Sequence, residues 1–385
     1  LPPELAAEPE RIPPPPVGRY PEDWARCVAE NPPPPPVLPA GIDPRGVDPA
    51  SPNPLLGLRW FVDRMEPAYT QWVHWRRAGR TEWASMIWRL AREPRFRWFG
   101  RFTRPRMRKK VWGFLNRVQC DQPGAVPQMA VMRAESNKCG PGYLGGGAAE
   151  DARTRRWYRD FASVIGTARV VIGFEVDSLG TIDCLARHRR DDRLRLLRYG
   201  VEVLSQLPNA TIYLEAGASD WEPAERIAKM LRIIGIDRVR GFMLNATHHD
   251  WTSANVSYGL DVSRRVGGKP FVISTAYNGR GPLHYQRWIG PRRRRINVWC
   301  HPGLRGLGPP PTTLTSHPKV DAYLYINRPG YSAGACNGGP RRVGRWWPAR
   351  ALMYTRYATD WEAPPSGTRH GHYKRYTLQE LGAFD

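Results

Sequence analysis

The sequence predicts an α/β fold, a parallel sheet closed into a barrel, on three observations. From residue 168 onward, short apolar runs rich in β-branched residues alternate with longer stretches of helical periodicity, the pattern of βα units. With the strands expected before residue 168, the domain holds six or seven, and that number in one domain argues a barrel. After a Pro-rich N-terminal segment, about 340 residues remain, enough for one large core.

In chain order, residues 58–62 read as a first strand, with Trp60 and Phe61 before Asp63. Helical periodicity runs from about 66 to 90 and again over 107–118. A second strand is expected over 126–132, then a Gly-rich loop over 139–147. The helix expected over 151–165 carries Asp151 near its start, where a negative charge suits the helix dipole. The regular alternation follows: strand 168–174 and helix 190–206, strand 211–215 and helix 223–234, strand 241–244 and helix 253–266. Strands 270–274 and 321–326 are separated by a long Arg- and Pro-rich loop, and a last helix begins near Pro348, a residue favoured in the first turn.

Fifteen of the 39 prolines fall within the first 45 residues, including Pro13–Pro16 and Pro32–Pro36. Such runs form extended polyproline rather than packed core, so residues 1–45 read as an arm or linker and 46–385 as one domain. The net charge is +23; the arm holds four Arg against seven Asp or Glu, so the domain carries about +26. Only seven of the 58 cations are Lys. That excess of Arg fits either a GC-rich coding bias or attraction to an anionic partner such as an acidic cell-wall glycan. No zinc-ligand spacing, RNA-binding signature or helix-turn-helix pattern accompanies the basic runs at 101–110 and 292–295, which argues against nucleic acid. No apolar run approaches the ~18 residues of a membrane span. Leu1 in place of Met predicts that a leading segment was removed. Six widely spaced cysteines without a CxxC favour disulfides, an oxidising compartment and no metal site. No cofactor motif is present.

The strand at 170–174 leads into Glu175-Val176-Asp177-Ser178-Leu179. In a barrel the carboxyl ends of the strands are where side chains meet ligand, so Asp177 stands where a catalytic carboxylate would. The competing reading is that Asp177 caps a helix starting at Ser178.

Eight stretches, in order, decide between them: FEVDSL (174–179), IYLEAG (212–217), GFMLN (241–245), KPFVISTAYNG (269–279), NVWC (297–300), RGLG (305–308), VDAYLYINRPGYSAG (320–334) and CNGGPRRVGRWWP (336–348). Together they resemble glycoside hydrolase family six, the secreted inverting cellulases that include endoglucanases and cellobiohydrolases. The resemblance spans about residues 53–360. It implies a distorted barrel of about seven parallel strands with the substrate across the strand ends. It also implies disulfides Cys139–Cys184 and Cys300–Cys336; Cys27 and Cys120 fall outside that pattern and either pair, pinning the arm, or remain free.

Inverting hydrolysis needs a protonated carboxyl on the leaving oxygen and a second carboxylate activating water on the opposite face, the two roughly 6.5–9.5 Å apart. By resemblance Asp177 is the proton donor. The expected helpers are replaced. Met132 stands for a Tyr, and Asn137-Lys138-Cys139 for an Arg-Asp-Cys triplet. Leu144 stands for a Ser that holds water, and Ser274 for a carboxylate. Asn327, Tyr331 and Ala333 stand for the Lys, Glu and Asp of the last motif, including the Asp usually proposed as base. Glu135 is a candidate relocated base on the loop after the second strand. Glu175 and Asp250 are further carboxylates, each weighed against a salt bridge to one of the many arginines. By resemblance Phe61, Trp251 and Trp299 fall where family members bind glucosyl units, and Asn245, His248 and Asn278 are further candidates for sugar binding, since pyranose faces pack on aromatic rings while hydroxyls bond polar neighbours. Two functions follow: an inverting hydrolase of β-1,4-glucan or a related cell-wall polysaccharide, or a catalytically lapsed carbohydrate-binding protein on the same fold.

Overall fold

The computed structural model describes residues 52–103, 105–134, 146–289 and 292–365, and positions 26, 27, 29, 30 and 44 of the N-terminal segment. The strands among them are β1 (Arg97–Gly100), β2 (Gln128–Met132), β3 (Val170–Phe174), β4 (Ala210–Glu215), β5 (Gly241–Leu244), β6 (Phe271–Ser274), β7 (His284–Ile289), β8 (Arg292–Asn297) and β9 (Val320–Leu324). Seven of them form one parallel sheet in the order β1-β2-β3-β4-β5-β6-β9. The sheet curls until its edges meet: Arg95 and Tyr325 form a parallel bridge, and the Phe96 N–H donates to the Tyr325 carbonyl at 3.1 Å. This is the distorted barrel of about seven strands that the sequence predicts.

Alternation along each strand explains the closure. In β3, Val170, Ile172 and Phe174 join the core beneath the helices, while Val171 faces the barrel interior. Tyr213, Met243, Val272, Ala322 and Leu324 line the same interior from the other strands. Gly173 is glycine for a steric reason, since a Cβ there would lie 2.7 Å from the Met243 sulfur. With both faces buried, β3 through β6 read as nearly continuous apolar runs.

The helices are α1 (Pro67–Arg77), α2 (Thr81–Ala91), α3 (Met107–Asp121), α4 (Ala148–Ile165), α5 (Arg187–Leu204), α6 (Ala224–Ile234), α7 (Thr252–Arg265) and α8 (Pro348–Arg356). α6 shows the packing logic: Ile227, Ala228, Leu231 and Ile234 recur at helical spacing and are buried, and Gly235 ends it with a left-handed backbone. α1, α2 and α8 form a separate cluster around Tyr69, Trp72, Trp88 and Tyr354.

Three expectations are corrected. Residues 58–62 do not form a strand; Trp60 makes one parallel bridge with Val126, and the Asp63 carboxylate then turns the chain by accepting the Met65 N–H. The edge strand is instead β1, a four-residue stretch too short and too Arg-rich to show periodicity. The helix expected over 66–90 is two helices, broken where Gly79 takes φ +68°. The Arg-rich loop contains an antiparallel hairpin, β7–β8, whose four consecutive arginines hide any apolar alternation.

Cys27 pairs with Cys120 on α3, so part of the N-terminal segment is fastened to the domain. Cys300 pairs with Cys336. Cys184 is also disulfide-bonded; its expected partner, Cys139, lies outside the described residues. No helix among the described residues is long and apolar enough to cross a membrane.

Candidate active site

The loops leaving β3, β4 and β5 converge on a group of acids and one histidine. β3 ends at Phe174, and Glu175 and Asp177 both take left-handed backbone, with φ of 58° and 67°. The strand alternation that would send the two side chains the same way is therefore lost. Glu175 turns beneath β2, where its carboxylate accepts the backbone N–H groups of Arg133 and Ala134 and the Tyr158 hydroxyl at 2.7 Å. It is 1% exposed and holds the β2 loop in place. Asp177 turns toward the β5 loop, where the Thr247 hydroxyl donates to its Oδ1 at 2.7 Å.

Asp177 does not cap a helix. After Ser178 the chain runs through turns to a short 3-10 segment, Ile182–Cys184, and it is the Asp177 carbonyl that accepts the Thr181 N–H. Its carboxyl is left for other work. Burial raises its pKa, against the Thr247 hydrogen bond and the His248 charge, which lower it.

Glu215, the last residue of β4, lies beside it. Its Oε2 accepts the Leu179 N–H at 2.8 Å and its Oε1 the Gly217 N–H at 2.6 Å. Burial first, and the Asp177 charge second, push its pKa up to about 8. Burial thus opposes ionisation of both carboxyls, and the Asp177 charge further opposes that of Glu215.

On the same side, His248 Nδ1 meets Asp220 Oδ1 at 2.8 Å, and the imidazole stacks on Trp221 with ring centroids 4.5 Å apart. Trp221 in turn lies over Gly180, where a Cβ would come within 2.5 Å of its ring. The second Asp220 oxygen accepts the amide of Asn297, the last residue of β8, so the hairpin is tied to the site. Burial works against a charged His248, but Asp220, with the charges of Asp177 and Glu215, raises its pKa above the usual value.

Other expected site residues fall into three groups. Asn245 and Asn278 are buried and support the β5 loop: the Asp250 carbonyl accepts the side-chain amides of Asn245, Asn255 and Asn278. Asp250 itself spends its carboxylate on the Ser219 hydroxyl and the Trp251 N–H, which makes it a loop fastener. Trp251 precedes α7 with its ring against Gly281, and Trp299 is 64% exposed. Phe61 is 3% exposed and packs edge-on against Phe114, 5.8 Å between centroids, within the helix-side core. Glu135, Lys138 and Leu144 lie outside the described residues.

The positions of the replaced helpers are occupied by other interactions. Asn327 Oδ1 accepts the Tyr277 hydroxyl, Tyr331 donates to Glu66, and the Ala333 N–H donates to His301. Ser274 is buried in β6, with its carbonyl accepting from Asn245. Among the described residues one cluster has metal-ligand chemistry, Cys300, His301 and Cys336. Both sulfurs are in the disulfide, and the two His301 nitrogens face the Cys336 carbonyl and the Ala333 N–H.

Sequence reasoning passed over Glu215, Asp220, Trp221 and Thr247. Glu215 carried a usable signal, an acid ending the apolar run Ala210–Glu215 as Asp177 follows β3. Asp220 and Thr247 sit in loops whose meeting only the barrel creates.

The chain resembles known proteins over most of its length. The family model described as "Glycosyl hydrolases family 6" matches residues 57–361. Endoglucanase A of Cellulomonas fimi is 31% identical over 80% of this chain and 62% of its own length. Endoglucanase A of Thermobispora bispora is 29% identical over 72% of this chain and 57% of its own. The chain thus spans about three fifths of these curated relatives. The solved endoglucanase Cel6 of Mycobacterium tuberculosis, in complex with a methyl-cellobiosyl-4-deoxy-4-thio-β-D-cellobioside, is 33% identical. It covers 79% of this chain and 99% of that one, with a TM-score of 0.69. The closed barrel, the ordered motifs and these matches together place the chain in family 6 of the glycosyl hydrolases.

Proposed function

We propose that this protein is a secreted, inverting glycoside hydrolase acting on β-1,4-glucan or a related cell-wall polysaccharide, with Asp177 as general acid. The observation that carries this reading is the Asp177–Glu215 pair. A leaving alkoxide needs a proton at near-neutral pH, and an ordinary Asp has lost it there. Burial raises the Asp177 pKa toward that need, and Asp177 is the member of the pair at the loop surface, since Glu215 is 2% exposed and bound by backbone N–H groups. The endoglucanase relatives support a glucan substrate, and the disulfides support an extracellular setting. The net charge of +23 supports an anionic wall glycan as an alternative to neutral cellulose.

A second reading, a carbohydrate-binding protein without turnover, is favoured by one observation: Asn327, Tyr331 and Ala333, at positions where the resemblance expects two carboxylates and a Lys, bond instead to Tyr277, Glu66 and His301. The two readings part in one assay. Wild type and Asp177→Asn are incubated with soluble β-glucans, cellulose and bacterial wall glycans, and released reducing sugar is measured. Turnover by the wild type that falls at least ~100-fold in the variant supports the hydrolase. Calorimetric binding without turnover supports the second reading, and turnover that survives the substitution removes Asp177 from the acid role.

A further inference from the structure

His248 is held on two sides. Asp220 faces Nδ1, Trp221 covers one ring face at an interplanar angle of 16°, and Asn297 fixes Asp220 from behind. The hydrogen bond to a carboxylate places the neutral ring's proton on Nδ1 and leaves the lone pair on Nε2, the tautomer a proton acceptor needs. The ring keeps 13% of its side-chain exposure. Resting on the hydrolase reading above, we infer that His248, oriented by Asp220, accepts the proton of the attacking water while Asp177 protonates the leaving oxygen.

The placement suits that division of work. Asp177 and His248 sit on the loops after β3 and β5, with β4 between them. The loops meet across the end of β4, where Thr247, the residue before His248, donates to Asp177 at 2.7 Å. An inverting pair needs roughly 6.5–9.5 Å between its groups, with water on one side of the sugar and the acid on the other. In the step, the water oxygen bonds to the anomeric carbon as its proton passes to Nε2. The glycosidic C–O bond breaks, and its oxygen takes the Asp177 proton. The imidazolium then releases its proton to solvent and Asp177 takes one up, restoring both groups. Asp220 acts through His248, as a positioning residue.

The groups facing the ring set the pH range. Asp220, Asp177 and Glu215 favour the imidazolium, burial disfavours it, His284 lies near Asp220, and buried His249 stays neutral on the adjacent position. The base works once His248 has lost its proton, and the acid while Asp177 keeps its own, so the acidic limb reports His248, whose pKa its acidic neighbours raise.

The test uses the full chain on whichever soluble glucan the wild type cleaves. kcat and KM are measured against pH for wild type, His248→Gln, His248→Asn, Asp220→Asn and Glu135→Gln, with the His248 titration followed by NMR. Expected are a loss of kcat of ~100-fold or more in both His248 variants with KM within about twofold, and disappearance of the acidic limb. His248→Asn keeps a donor toward Asp220, so a loss shared by both variants is chemical rather than structural. Asp220→Asn should lower the His248 pKa and move the acidic limb down with it. Unchanged kcat with raised KM would make His248 a sugar contact only, and an acidic limb removed by Glu135→Gln but kept by His248→Gln would assign the base to Glu135; either overturns the inference alone. A wild type that cleaves no glycan overturns the hydrolase reading, and the inference with it.

Discussion

The hydroxyl of Thr247, on the loop after β5, donates to Asp177 Oδ1 at 2.7 Å across the end of β4. That bond favours the carboxylate form, so it opposes the burial that raises the Asp177 pKa. Thr247→Val keeps the shape and removes the donor. A hydrogen bond to a charged group is worth ~1.5–3 kcal/mol, so the Asp177 pKa should rise by about 1–2 units. The alkaline limb of the kcat/KM profile should move up with it; an unmoved limb would show that the hydroxyl does not act on the titrating form.

Glu215 makes stability depend on pH. Its folded pKa of about 8 lies above the ordinary 4.5, so the folded state holds this proton more tightly than the unfolded chain. The contribution is full below about 4.5 and is lost as pH rises through about 8, with a slope approaching ~1.4 kcal/mol per pH unit for one proton. Glu215→Gln should flatten urea-midpoint stability over that interval. An equally steep decline in the variant would assign the proton elsewhere.

Inside the barrel, Arg240 donates twice to Asp321, through Nε at 2.9 Å and Nη2 at 3.0 Å, and Tyr213 donates to the same carboxylate at 2.6 Å. Arg240 and Asp321 are 3% and 1% exposed. Removing one partner of such a pair strands the other charge, so Asp321→Asn should cost about 3–5 kcal/mol by denaturant unfolding. Replacement of both by apolar residues of similar size should cost far less.

The Cys300–Cys336 disulfide closes a loop of 36 residues. Chain entropy gives its removal a cost of roughly 4 kcal/mol. A double serine variant should lose about that much stability. His301 bonds both the Cys336 carbonyl and the Ala333 N–H, so the loop after β9 should keep its position in the folded variant, as amide exchange near Ala333 would report.

The barrel was legible because β3 through β6 are buried on both faces and read as unbroken apolar runs. An acid at the carboxyl end of β3 was legible because that is where the loops of a barrel gather. What lay beyond reading was set by backbone turns and by loop meetings. Strand alternation would put Glu175 and Asp177 on one side, and left-handed backbone at each of them separates the two. Asp220 and His248 are 28 residues apart, in loops with no periodicity, and become neighbours only because β4 and β5 are adjacent. The hairpin β7–β8 was hidden by its arginines. The same run of charge that suggested an anionic partner also masked a pair of strands.

The seam of the barrel bears on how the chain folds. β1 and β9 are joined through Arg95 and Tyr325, 230 positions apart, and by the Trp98 indole reaching the Ile326 carbonyl at 2.8 Å. Every other pair in the sheet joins strands that follow one another in the chain, apart from the β7–β8 excursion between β6 and β9. Strand addition can therefore proceed in order from β2 to β6 with modest loop cost, while ring closure waits for nearly the whole domain to be made. On a ribosome, the loops after β3 to β5 would be assembled before the barrel around them is shut.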